Sequence, residues 1–75
     1  MNDKRRKALS NLKGQIEDLK GELESIKDEE QESFDNLPEG LQQAENGQNM
    51  EDCVSHIDEA VGGLDDAVSA LESIS

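Results

Sequence analysis

The chain has 75 residues, one aromatic side chain (Phe34), one cysteine and a formal net charge of −12. A chain of this length fits one domain spanning residues 1–75, and it buries only about 60% of its unfolded surface, so a lone copy is marginally stable. One cysteine excludes an intramolecular disulfide, and a mixed core of sheet and helix usually needs more aromatic bulk. The fold class that these observations leave is a set of helices packed through aliphatic side chains.

Charge divides the chain into two parts. Residues 1–27 hold all seven lysines and arginines against five acids, a balance of +2, whereas residues 28–75 hold fourteen acids and no base, a balance of −14. The acidic part repels the phosphates of nucleic acids and acidic membranes, and it suits a basic protein partner. We therefore expect a basic protein as the partner, with no direct binding to nucleic acid and none to membranes.

The first predicted helix covers residues 4–34 and carries a seven-residue repeat. Its apolar side chains fall at heptad positions a and d in three consecutive repeats, which is the period of a coiled coil. Gly14 and Gly21 occupy the outermost position, f, where each costs about 1 kcal/mol of helix propensity relative to Ala, so this helix needs a partner helix to stay formed. The a column is Leu9, Ile16 and Leu23, and the d column is Leu12, Leu19 and Ile26.

Residues 35–49, DNLPEGLQQAENGQN, form the predicted connection. Pro38 disrupts a continuing helix but suits the first turn of a new one, so a short helix is predicted from Pro38 to Glu45. Asn49 resembles the N-cap of a second long helix over residues 50–74. Three residues are predicted to separate the short helix from the long one: Asn46, Gly47 and Asn49.

The second long helix also repeats every seven residues, and it has three apolar columns instead of two. Position g is apolar and mostly small in addition to positions a and d, so the apolar face is wider than one neighbouring helix needs. The a column is Val54, Val61 and Val68, and the d column is Ile57, Leu64 and Leu71. The g column, the expected self-association site, is Cys53, Ala60, Ala67 and Ile74.

Lysines of the first helix recur at position e, and position e of the second long helix is acidic. In an antiparallel coiled coil these two columns flank each other. Pairing them in order gives the same sum of residue numbers, 85, three times, so one register satisfies all three pairs. The predicted pairs are Lys27–Asp58, Lys20–Asp65 and Lys13–Glu72.

The predicted fold is therefore all-α: an antiparallel, coiled-coil-like helical hairpin with a short connecting helix. A parallel dimer zipped along the first helix is the rival arrangement, but it leaves the acidic e column of the second helix without partners. The wide apolar face of the second helix predicts a homodimer, a four-helix bundle, although the helices of one chain are an alternative cover for that face.

Few side chains could carry chemistry. Cys53 and His56 have the i, i+3 spacing of two metal ligands, but the chain has no other Cys or His to complete a site. The acidic run at residues 28–32 is similar to the magnesium-binding carboxylates of all-α nucleotide pyrophosphohydrolases, yet no second acidic cluster and no phosphate-binding base accompanies it. No Ser–His–acid set and no glycine-rich phosphate loop is present. We expect a non-enzyme with no metal and no cofactor.

A basic cluster opens the first helix, where positive charge opposes the helix dipole. A weak contact with nucleic acid is one interpretation, and proximity to Glu72 and the chain's C-terminus in the hairpin register is another. No apolar stretch of signal-peptide or membrane-spanning length follows, so we expect a cytoplasmic protein. The cluster consists of Lys4, Arg5, Arg6 and Lys7.

The stretch EEQESFDNLPEGLQ and the acidic amphipathic helix after it resemble short, acidic helical-hairpin proteins of phages and mobile elements of Gram-positive bacteria, whose function is uncharacterised. The resemblance covers residues 28–74. It implies an origin in a mobile element and transfers no functional site. The residues that carry it are Phe34, Asn36, Leu37, Pro38 and Leu41.

Three functions fit these patterns. The first is a non-enzymatic interaction protein that self-associates and docks on a basic surface of a protein partner. The second is a phage or mobile-element inhibitor that imitates nucleic acid and blocks a nuclease or a host-defence protein. The third is a purely structural assembly component. The acids expected to contact the partner are Asp28, Glu29, Glu32, Asp35, Glu51, Asp52, Glu59 and Asp66.

Overall fold

A computed structural model describes residues 1–74 as three helices. Helix α1 spans Asp3–Asp35, α2 spans Glu39–Gln42 and α3 spans Glu45–Glu72. Helix α1 begins on Asn2, whose side-chain oxygen accepts a hydrogen bond of 2.9 Å from the Arg5 backbone N–H. This bond satisfies one of the N–H groups that a helix leaves unpaired at its start.

The connection between the long helices is tied to the end of α1. Pro38 fixes the start of α2, and its carbonyl accepts backbone hydrogen bonds from Leu41 and Gln42 at 2.9 and 3.0 Å. The side-chain amide of Gln42 donates to the Phe34 carbonyl at 3.1 Å. A short helix that starts at Pro38 was predicted, and its last residue lies three positions before the predicted end.

The second long helix begins earlier than the sequence predicts. Asn49 is not an N-cap: it lies inside α3, which begins at Glu45 and whose own N-cap, Ala44, has no side-chain capping bond. Gly47 is buried in the first turn of α3, and a Cβ atom there would lie 2.6 Å from the Leu41 carbonyl oxygen. Glycine at this position therefore serves a close approach of α3 to the backbone of α2, and it does not interrupt a helix.

The two long helices pack antiparallel along their length, as the hairpin prediction required. The result is a rod of 58 × 14 × 12 Å with a radius of gyration of 17.2 Å, against about 11 Å for a compact domain of this length. Because the rod is only two helices thick, Val61 is the one buried apolar side chain among residues 1–74, at 7% exposure. The hairpin is confirmed, but it has almost no interior of its own.

Candidate interaction surfaces

The lysine column and the acidic column meet along one side of the hairpin, and we call this row of ion pairs the charged seam. Each of the three lysines forms a salt bridge with the acid that the constant residue sum assigns to it, so the predicted pairing is confirmed. The pairs are Lys13–Glu72, Lys20–Asp65 and Lys27–Asp58, with N–O distances of 3.1, 2.6 and 3.1 Å.

The ion pairs favour the charged form of the lysines. The hydrogen bond to Asp65 raises the pKa of Lys20 above its ordinary value of 10.5, and the attraction of the same carboxylate adds to this. The hydrogen bond to Asp58 and the charge of that carboxylate raise the pKa of Lys27 in the same way. Exposed pairs of this kind contribute roughly 0.2–1 kcal/mol each, so the charged seam sets the register of the hairpin more than its stability.

The apolar side chains of α1 do not all face α3. The a column is half-buried, as predicted, but the d column was predicted to pack in the core and does not. Leu12, Leu19 and Ile26 are 48%, 53% and 52% exposed, whereas the lysine side chains of the charged seam are only about 30% exposed. Helix α1 is therefore rotated so that columns a and e, and not a and d, face α3.

The physical reason for the rotation lies in the length of the lysine side chain. Four methylene groups can lie along an apolar surface while the ammonium group reaches out to a carboxylate. The stems of Lys13, Lys20 and Lys27 take the place beside the a column that the d column was expected to fill. The d column is consequently turned toward the other side of the hairpin.

On that other side, the register of the hairpin places one apolar column of each long helix side by side, and we call these two columns the open apolar face. The g column of α3, the predicted self-association site, lies here beside the d column of α1. Ala60 is exposed, Ala67 is half-buried and Ile74 is 41% exposed. Cys53 is also exposed, at the end of this face nearer the turn. The open apolar face consists of Leu12, Leu19 and Ile26 of α1 with Ala60, Ala67 and Ile74 of α3.

The predicted partner-binding acids are all on the outside of the hairpin, and we call them the acidic surface. All eight are exposed, and within residues 1–74 no lysine or arginine forms a salt bridge with any of them. Asp35 accepts a hydrogen bond from Gln31 at 3.0 Å, and Glu59 lies 3.7 Å from His56. The other six carboxylates form no hydrogen bond or salt bridge with a side chain of residues 1–74.

Both ends of α1 carry the charge that its dipole disfavours. The cluster Lys4–Lys7 lies at the start of the helix, where partial positive charge accumulates, and within residues 1–74 its one salt bridge is between Arg6 and Asp3, at 3.4 Å. The C-terminus beside which the cluster was predicted to lie is outside the described residues. The last turn contains Glu32 and Asp35 and no base. Each unfavourable placement costs typically 0.3–1 kcal/mol at an exposed site, so neither end of α1 is arranged for the stability of that helix alone.

The remaining candidates form no site in the structure. Cys53 and His56 are exposed on α3, and within the described residues no group of three or more His, Cys, Asp or Glu side chains could hold a metal ion. A shallow groove lies at the end of the rod where the chain starts and stops, but Lys13 and Glu72, which line it, already pair with each other. In residues 1–74, no helix has both the length and the apolar character needed to cross a membrane.

Comparison with known proteins gives no match of any kind: no family model, no curated protein and no solved structure corresponds to this chain.

Proposed function

We propose that the chain is a small, non-enzymatic interaction protein that self-associates and docks on a basic surface of a protein partner. The observation that carries the docking proposal is the acidic surface. Its carboxylates are exposed and have no lysine or arginine partner within the chain, while every lysine of the charged seam is already bound to a carboxylate. Unneutralised charge of one sign attracts a surface of the opposite sign and raises the rate of encounter with it.

The helix α3 part of the acidic surface is the best-defined docking strip. All acids of α3 lie at heptad positions e and f, and those at f form a row at steps of seven residues, about 10 Å apart. Glu45, Asp52, Glu59 and Asp66 make up this row; all four are exposed, and they lie about 100° around the helix from the g column. A basic partner can therefore contact the row without disturbing the packing of the hairpin.

Amide substitution provides the test. The variant Glu59→Gln with Asp66→Asn removes two charges with almost no change in shape, so the capture of a basic partner from an extract of the native host should weaken several-fold. The matched control is Asp18→Asn with Glu22→Gln, which removes two charges from exposed positions of α1 outside the acidic surface and the charged seam. Equal capture by both variants, or binding that does not weaken at high salt, would contradict electrostatic docking.

Imitation of nucleic acid is the second candidate, and the rod shape with acids and no base along residues 28–74 favours it. On this hypothesis the partner is a nuclease or another nucleic-acid-binding protein, and the acidic surface occupies its phosphate-binding groove. Competition separates the candidates: DNA or RNA displaces the chain from such a partner, whereas simultaneous binding rules imitation out. The purely structural role, in turn, predicts partner binding that survives both amide variants.

A further inference from the structure

We propose that the open apolar face is covered by a second copy of this chain, oriented so that the turn of each hairpin lies beside the chain ends of the other. The inference rests on the self-association part of the proposed function, and it adds the contact face, the partner and the orientation. In this dimer α1 packs on α1 of the second copy and α3 on α3. All four helices are antiparallel to their neighbours, as in a four-helix bundle.

The exposed area indicates that a lone hairpin is incomplete. The chain has an accessible surface of 5498 Å², whereas a folded protein of 8.2 kDa exposes about 4,500 Å². The excess of about 1,000 Å² is close to the roughly 800 Å² that each partner contributes to a standard interface. Leu12, Leu19 and Ile26 are each about half exposed while Val61 is the single buried apolar side chain of residues 1–74, so the open apolar face is the apolar part of this surface that a second copy can cover.

The face is self-complementary about its own centre, as the shared interface of a two-fold dimer must be. Leu19 is the middle residue of α1 and of the d column, and Ala67 lies level with it on α3. With the two-fold axis at this level, Leu19 meets Leu19 of the second copy, and Leu12 meets Ile26. On the other helix Ala67 meets Ala67 and Ala60 meets Ile74, so each small side chain at the ends of the column faces a larger one.

The charges choose between the two possible orientations. The acidic turn region, residues 28–52, holds nine acids and no base, so a dimer with both turns at one end would place two such clusters side by side. The opposite orientation brings the cluster Lys4–Lys7 level with the last turn of α1 in the second copy, where Glu32 and Asp35 lie. Each end of α1 then receives, from its neighbour, the charge that compensates for its unfavourable dipole.

The dimer leaves the docking strip of α3 free. On that helix, position e lies in the charged seam on the other side of the hairpin, and position f lies about 100° around the helix from position g, which forms the contact. The second copy engages the part of the acidic surface at the end of α1, and the acids of α3 remain for a basic partner. The two interactions can therefore be tested separately.

The single cysteine reports the orientation without any substitution. Cys53 is exposed and lies 14 residues from the level of the two-fold axis, which is about 21 Å at 1.5 Å per residue. Spin labels on Cys53 of the full-length chain, measured by pulsed dipolar spectroscopy, should be about 40 Å apart. With both turns at one end, the labels lie at the same height across the bundle and below about 20 Å, and that result would overturn the orientation.

Sedimentation equilibrium tests whether the chain forms a dimer and whether the open apolar face is the contact. The chain should have twice the monomer mass, and Leu19→Glu should weaken dimerisation about 100-fold or more, because it places two carboxylates opposite each other in an apolar layer. The matched control is Gly21→Glu, which adds the same charge at an open position on the far side of α1 and should leave the dimer intact. A wild-type chain that stays monomeric over the full concentration range, or equal masses for the two variants, would overturn the proposal.

The amide variant of Glu59 and Asp66 separates this inference from the docking proposal. It should bind a basic partner less well and keep the dimeric mass. Should the wild-type chain be monomeric and still lose its partner when these two acids are neutralised, dimerisation fails and docking stands. Should Leu19→Glu unfold the chain, the distance between labels on wild-type Cys53 still decides the orientation.

Discussion

The two sides of the hairpin differ in what they contribute. The charged seam is satisfied within one chain: three lysines meet three acids at distances of 2.6–3.1 Å, and the lysine side chains are only about 30% exposed. The open apolar face has the larger aliphatic side chains and the greater exposure, with Leu19 at 53%. Specificity is therefore concentrated on one side and unburied apolar area on the other.

The difference teaches that the parts that fix a register need not be the parts that provide stability. Exposed ion pairs contribute roughly 0.2–1 kcal/mol each, whereas full burial of a Leu or Ile side chain contributes about 1.5–3 kcal/mol. The charged seam alone would define the register of the hairpin but would contribute little to its free energy of folding. On the proposed dimerisation, the apolar side supplies the larger gain when a second copy covers it.

The turn is where we expect the largest effect of a single substitution, because it sets the register that separates the two sides. Gly47→Ala places a Cβ atom against the carbonyls of residues 41 and 42 and should lower the free energy of unfolding by roughly 3 kcal/mol. Gly14→Ala is the control: its site is open, so the same change should raise stability by up to about 1 kcal/mol. Urea denaturation of both variants measures the difference, and a neutral Gly47→Ala would show that the tight approach of α3 to α2 is unnecessary.

Shortening an apolar side chain between the two helices and shortening one on the open apolar face should cause losses of stability that depend differently on protein concentration. Val61→Ala removes the buried side chain and should lower the free energy of unfolding by about 2 kcal/mol at any concentration. Leu19→Ala should have little effect on the lone hairpin in dilute solution. Once the dimer forms, the same change should lower stability by a comparable amount.

Chemical denaturation of these two variants at micromolar and millimolar concentration makes the comparison. A Leu19→Ala variant whose loss of stability is the same at both concentrations would show that the open apolar face is not a contact between copies.

Reversal of one ion pair tests the charged seam alone. Lys20→Glu puts a carboxylate opposite Asp65 and should lower stability by up to about 1 kcal/mol, and adding Asp65→Lys should recover it. The loss should shrink in 1 M salt, because screening weakens interactions between exposed charges. Thermal unfolding of both single variants and of the double variant measures the coupling, and no recovery in the double variant would count against this pairing.

Alkaline pH should produce the smallest change. The pKa of Lys20 and that of Lys27 are raised in the folded chain above the ordinary value of 10.5, so their contribution is fully present below pH 10.5 and is lost as pH rises through the higher folded values. The variant Lys20→Arg with Lys27→Arg keeps its charge in this range and should keep more of its stability. The midpoint of thermal unfolding between pH 9 and 12 makes the measurement, and parallel losses in both proteins would contradict the assignment.

The sequence predicted the pairing of the helices better than it predicted their rotation. Pairing follows from charges at fixed spacing, and the constant sum of 85 permits one register only. The rotation of α1 depends on whether column d or column e lies beside column a in the contact with α3. The heptad pattern assigns that place to the apolar column d. The long stems of the lysines compete for the same place, and a pattern of apolar letters does not register that competition.

The start of α3 shows a second limit of prediction from local sequence. Asn46, Gly47 and Asn49 have low helix propensity, but the approach of α3 to α2 requires glycine at position 47, and this tertiary contact overrides the local preference. The candidate surfaces divide in the same way. Exposure of the predicted acids could be expected from their charge, whereas the contribution of Leu12, Leu19 and Ile26 to the open apolar face became visible only with the rotation of α1.

The most direct measurement is the midpoint of thermal unfolding of the unmodified chain over a hundredfold range of concentration. Because the proposed second copy would bind only the folded hairpin, the midpoint should rise steadily as the concentration increases. A midpoint independent of concentration would mean that the hairpin is stable with its leucines exposed. It would contradict the account in which the charged seam sets the register and the open apolar face provides stability through a second copy.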